Sequence, residues 1–152
     1  MASGTKSFIL NRKSDWQDNS IISNLTFDGE NLVSEMDNSN SGIYISSSFD
    51  SLESETIWHR LRLDAKIPQN IKVKLRIYTS DSLTAYVPAF EKEGNAQVQL
   101  DEIFMDPNIS AKEKLDLFDF LGAKQFENPD DLVLYEFKGR YLWFSLEVIN
   151  YA

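Results

Sequence analysis

Gly139-Arg140-Tyr141-Leu142-Trp143-Phe144-Ser145-Leu146-Glu147-Val148 and Thr56-Ile57-Trp58-His59-Arg60-Leu61-Arg62-Leu63-Asp64 are the two stretches whose reading decides the fold. Each alternates apolar and polar residues with period two, the pattern of a strand with one buried face. In the first, Leu142, Phe144 and Leu146 share the buried face and leave Tyr141 and Trp143 opposite. In the second, Ile57, His59, Leu61 and Leu63 take the buried parity, and Trp58, Arg60 and Arg62 take the outward one.

Working outward, the same criteria give strands near Ser7 to Asn11, Ile21 to Phe27, Asn31 to Glu35, Gly42 to Ser48, Lys72 to Ser80, Ala96 to Leu100 and Leu132 to Phe137. Turn-forming groups separate them: Asp28-Gly29, Asp37 to Gly42, Pro68-Gln69-Asn70, Gly94-Asn95 and Lys138-Gly139. Short strands at this spacing mean a β-sandwich or barrel, not an alternating α/β fold. One helix is expected, opening at Ser110-Ala111-Lys112-Glu113, which has the capping-box spacing, and ending at Gly122. Ala111, Leu115 and Phe118, widened by Leu117 and Leu121, form the stripe that docks it on the sheets. The region from Tyr86 to Asp131 is the least regular and holds Pro88, Pro107 and Pro129, so it reads as an excursion at one end of the sandwich.

Composition narrows the function classes. A chain of 152 residues is expected to form one domain with a core of its own, supplied here by 10 Phe, 6 Tyr and 3 Trp. It has no cysteine, which excludes disulfides and thiolate metal sites. The first ten residues lack the apolar run of a signal peptide, and nowhere do some twenty apolar residues occur together; cytoplasmic synthesis without membrane insertion is expected. A formal charge of -9 opposes general binding to nucleic acid or anionic membrane.

Candidate catalytic groups are few. His59 is the single histidine, which removes any site needing two imidazoles. With no G-x-S-x-G elbow to hold a nucleophile, a hydrogen-bonded core histidine is favoured over a general base. Asp37-Asn38-Ser39-Asn40-Ser41-Gly42 matches the first half of an EF-hand loop, but Ser48 stands where a bidentate Glu is required; a solvated turn is favoured and no metal is expected. Asp130-Asp131 or Glu91 with Glu93 are formal glycosidase pairs, yet among 24 acidic residues some pair always qualifies. No phosphate-cradling or dinucleotide motif occurs. The expectation is a protein that is not an enzyme and takes no cofactor. Asn24-Leu25-Thr26 and Asn108-Ile109-Ser110 match glycosylation sequons and read as accidental without a secretory signal.

The outward parity holds the stronger candidates: Trp58, Arg60, Arg62, Lys72, Lys74, Arg76 and Tyr78, with Tyr141 and Trp143 similarly placed. Trp, Tyr and Arg are the side chains that anchor interfaces. The bland reading is a solvated face whose parity shifts at a bulge.

Several phrases in order resemble tail proteins of contractile injection systems, the phage-tail-like particles of bacteria. They are Phe8-Ile9-Leu10-Asn11 with Asp15-Trp16, Leu25-Thr26-Phe27-Asp28-Gly29-Glu30-Asn31-Leu32, Gly42 to Ser51, Trp58-His59-Arg60-Leu61, Ile67-Pro68, Tyr78-Thr79-Ser80-Asp81 and Gly139 to Trp143. The resemblance covers about residues 7 to 149. Family members usually continue past the last strand, whereas this sequence stops at Ala152, which leaves open a piece of a longer protein or a short variant. With the strand pattern, it implies an antiparallel β-sandwich similar to galactose-binding-like jelly rolls, with a helical excursion at Asp101 to Gly122. It also implies a structural, non-enzymatic baseplate component that works through contacts with other tail proteins and ends in an assembled particle. The alternative is a carbohydrate-binding module for attachment to surface glycans, with the same aromatic residues stacking on sugar rings.

Overall fold

The computed structural model describes residues 7–10, 12–17, 20–34 and 41–150. In chain order the elements are α1 (Lys13–Gln17), β1 (Ser20–Ser23), β2 (Leu25–Asp28), β3 (Asn31–Ser34), β4 (Gly42–Ser46), β5 (Phe49–Asp50), β6 (Arg60–Arg62), β7 (Ile71–Ser80), β8 (Thr84–Tyr86), β9 (Gln97–Gln99), α2 (Leu100–Phe104), α3 (Ala111–Phe120), β10 (Lys124–Glu127), β11 (Asp131–Val133) and β12 (Tyr141–Asn150). The protein is mainly β, antiparallel and sandwich-like. Its central sheet has the order β1-β4-β12-β7-β10, with β5 also paired to β12. β7 and β12 match along their whole length, from Tyr141 opposite Ser80 to Asn150 opposite Ile71.

Period-two patterning explains why this pair forms the spine. On one face Val73, Leu75 and Ile77 meet Leu142, Phe144 and Leu146 in a core completed by Tyr44, Leu134 and Phe137. The β6–β11 ribbon covers this face through Leu61 and Leu132, and Trp16 stands edge-on to Tyr44 at 5.1 Å. Each fully buried aliphatic or aromatic side chain contributes roughly 1.5–3 kcal/mol.

The opposite face is also buried. Ile43, Ile45, Tyr141 and Trp143 pack there against Leu100, Ile103 and Phe104 of α2 and Leu115, Leu117 and Phe118 of α3. β12 is accordingly buried at every residue from Tyr141 to Leu146. Helix α3 starts at the predicted cap, where the Ser110 hydroxyl accepts from the Glu113 N–H at 3.1 Å, and the turn after it passes through Gly122 at φ +83°. Lys114 is fully buried on the same helix, and its Nζ donates to the Asp106 carbonyl at 2.6 Å. Burial pushes its pKa down.

Several expected strands differ in extent. Residues 7–10 form no strand, and Asn11 lies outside the described residues. The stretch from Ile21 to Phe27 divides into β1 and β2 because Asn24 adopts φ +57°, which breaks an extended run. Leu100 begins α2 instead of ending β9. The candidate calcium turn from Asp37 to Asn40 lies outside the described residues. Among the described residues no helix is long and apolar enough to cross a membrane.

Candidate interaction surface

The stretch from Thr56 to Asp64 is not one uniform strand, and the reason builds the surface. Its first part pairs with residues 137–139: the Trp58 N–H donates to the Phe137 carbonyl at 3.0 Å and the Gly139 N–H to Thr56 at 2.8 Å. Its second part pairs with residues 130–134: the Leu134 N–H donates to the His59 carbonyl at 2.8 Å and the Leu63 N–H to Asp130 at 2.7 Å. Tyr135 and Glu136 lie between the two registers, in a turn closed by the Phe137 N–H on the Leu134 carbonyl at 2.8 Å. This bulge slips the parity by one: Trp58 and Leu61 both pack on the core, while His59 and Arg60 both face solvent.

Two expectations are corrected here. His59 is exposed, with its ring edge-on to Tyr135 at 5.5 Å between centroids, so it is not a core histidine. Trp58 is half-buried against the core; its Nε1 donates to the Gly139 carbonyl at 2.9 Å and Phe8 lies over it.

The spine strands bring larger corrections. Trp143 is fully buried on the helix-covered face, with Nε1 donating to Asp101 Oδ1 at 2.9 Å. Tyr141 is buried beside it, and Tyr78 is half-buried with its ring 5.6 Å from Trp143. Arg76 is buried between two acids, its Nε on Asp119 at 3.0 Å and Nη1 on Glu147 at 2.8 Å. Because Asp119 belongs to α3, this arginine fastens the helix to the sheet. The outward parity of β7 and β12 is thus a second core, and Arg76, Tyr141 and Trp143 are not surface contacts. Asp101 was not legible as a functional residue; it also accepts from the Ser48 N–H at 2.9 Å and the Ser48 hydroxyl at 2.6 Å. Lys114 did carry a signal, since it lies three residues after Ala111 and four before Phe118, within the apolar stripe.

Arg60 and Arg62 remain exposed as expected. In the ribbon, Arg60 stands opposite Val133 and Arg62 opposite Asp131, while Leu61 and Leu132 point to the core. Arg60 grips Asp131 with both branches of its guanidinium, Nε to Oδ1 at 2.6 Å. The hydrogen bond from Arg60 holds the Asp131 carboxyl below the usual carboxylate range. Arg62 makes no side-chain hydrogen bond or ion pair with any described residue. Beside these cations stand three exposed apolar side chains, Ile57 at 51%, Val133 at 64% and Tyr135 at 67% of full exposure. The face therefore joins two guanidiniums around one carboxylate, an imidazole and exposed apolar side chains.

Other concavities are shallower candidates. A cleft of about 330 Å³ between the β8–β9 hairpin and α2 is lined by Phe90, Gln97, Gln99 and Glu102 among others. No group of three or more His, Asp or Glu among the described residues is disposed to hold a metal. Compared with known proteins, the chain matches no family model, no curated protein and no solved structure.

Proposed function

We propose that this chain is a structural, non-enzymatic component of a phage-tail-like particle, a baseplate module of a contractile injection system, acting through protein–protein contacts. The outer face of the β6–β11 ribbon carries the reading: Ile57, Val133 and Tyr135 are exposed beside Arg60 and Arg62, the mixture of apolar anchor and arginine found at interfaces. The sequence phrases that resemble tail proteins support other tail proteins as the partner class. Surface-glycan attachment is less well supported, because Tyr141 and Trp143 are buried and Trp58 and Tyr78 are half-buried.

The test is recovery of intact particles with the chain attached, using the wild-type protein and a Tyr135→Ala, Arg62→Glu variant. Retention of the wild type and loss of a folded variant supports the proposal. Binding of the wild type to a glycan array, with no particle recovered, overturns it.

A further inference from the structure

Among the described residues no strand pairs with the outer edge of β6, and the register shows which groups lie on that edge. In an antiparallel pair, residues alternate between positions that exchange both backbone hydrogen bonds with the partner strand and positions whose N–H and C=O point away from it. The bonds from Leu134 N–H to His59 and from Leu63 N–H to Asp130 bracket Leu61 opposite Leu132 as an exchanging pair. Arg60 and Arg62 are consequently the outward positions, and no described residue accepts a hydrogen bond from either of their backbone N–H groups. Their side chains stand on the solvent face beside that edge, Arg60 hydrogen-bonded to Asp131 and Arg62 opposite the same carboxylate without a hydrogen bond to it.

We infer that the edge of β6 accepts an extended acidic segment of a partner protein as an added strand. Resting on the protein-contact reading above, this inference names the mode and chemistry of the contact. Backbone groups of Arg60 and Arg62 would supply the ladder, and acidic side chains alternating along the added strand would lie beside the two guanidiniums. Charge selects the occupant. An antiparallel second copy of the same edge would bring Arg60 and Arg62 against Arg62 and Arg60, which like-charge repulsion opposes. An acidic strand instead adds carboxylates to two guanidiniums that otherwise share the single Asp131.

The edge of β10 differs from that of β6. Gln125 and Glu127 are its outward positions by the same register argument, since the Asn128 N–H donates to Val73. Its polar groups are already engaged within the fold: Lys124 with Glu136, Gln125 with Asp119, and Glu127 with Lys72. That edge is closed by its own charges.

The experiment uses the full chain with two capped pentapeptides, Glu-Val-Glu-Val-Glu and Lys-Val-Lys-Val-Lys, read by amide hydrogen exchange and NMR shifts. In the free chain the Arg60 and Arg62 amides should exchange fast while those of Leu61 and Leu63 are protected. The Glu peptide should slow Arg60 and Arg62 by about tenfold or more, and the Lys peptide should not. Arg62→Pro, which removes an edge N–H without touching the ladder to β11, should abolish the response; Arg62→Glu should transfer it to the Lys peptide. No protection by the Glu peptide, equal protection by both peptides, or a concentration-dependent dimer lost in Arg62→Pro would overturn the inference. If Arg62→Pro still enters particles and the amides stay unprotected, the strand-addition inference fails while the protein-contact reading stands. Peptide protection without any particle association supports strand addition and removes the baseplate reading instead.

Discussion

Replacing Trp143 by Ala should unfold a large share of the population, because the side chain fills the centre of the helix-covered core. Trp143 is fully buried and meets Tyr78 and Tyr141 at centroid distances of 5.6 and 6.1 Å. Truncating a buried aromatic to Ala costs about 3–5 kcal/mol. Its indole N–H also donates to Asp101, and losing one donor to a part-buried carboxylate adds about 1–2 kcal/mol, although Ser48 still supplies two. The sum approaches or exceeds the lower end of the roughly 5–15 kcal/mol that stabilises a single domain. Urea titration by circular dichroism would measure it, and Trp143→Phe separates the two contributions by keeping a ring and losing the donor, at about 1–3 kcal/mol. A Trp143→Ala protein within about 1 kcal/mol of wild type would refute the placement of this residue in a packed core and return it to the interface candidates.

Three further outcomes follow from the same geometry. His59→Ala should change stability by no more than about 0.5 kcal/mol, the usual range for a solvent-facing position, where a core histidine would have left a costly cavity; thermal unfolding decides. Ser145→Ala should be neutral or stabilising by up to about 1 kcal/mol in urea titrations, because the buried Ser145 hydroxyl makes no hydrogen bond with any described residue. Tyr44 is pushed up to about 12 by burial, partly offset by its hydrogen bond with Ser20. The unfolded chain ionises first, so the Tyr44 contribution to stability is constant below pH 10 and falls by about 1.4 kcal/mol per unit between there and about 12. Tyr44→Phe should remove that alkaline slope, which pH-dependent unfolding would detect.

The spine and the helix were legible because each carries a redundant local signal. β7 and β12 alternate over ten residues apiece, and α3 has its cap, its stripe and its terminal Gly122. The misreadings share one physical cause. Period two says which residues share a face, but not whether the opposite face meets water. Tyr78, Tyr141 and Trp143 on the polar parity of β7 and β12 were the sign of a second covering layer, supplied by α2 and α3. The bulge at Tyr135-Glu136 left no comparable trace, because a slip of one residue depends on the partner strand and not on the strand that carries His59. β5, β8 and β10 are too short for any periodicity to register, and their pairing comes from neighbours distant in sequence. Of the candidate surface, the exposure of Arg60 and Arg62 was anticipated, whereas Ile57, Val133 and Tyr135 joined it only through the bulge and the ribbon.

An electron cryo-microscopy map of tail-like particles carrying this chain tests the central claim most directly. The account predicts density from another tail protein over the outer face of β6–β11, covering Tyr135 and Val133 and lying against Arg62. A map in which the chain is seated with that face bare to solvent, or particles assembled without the chain, would contradict it.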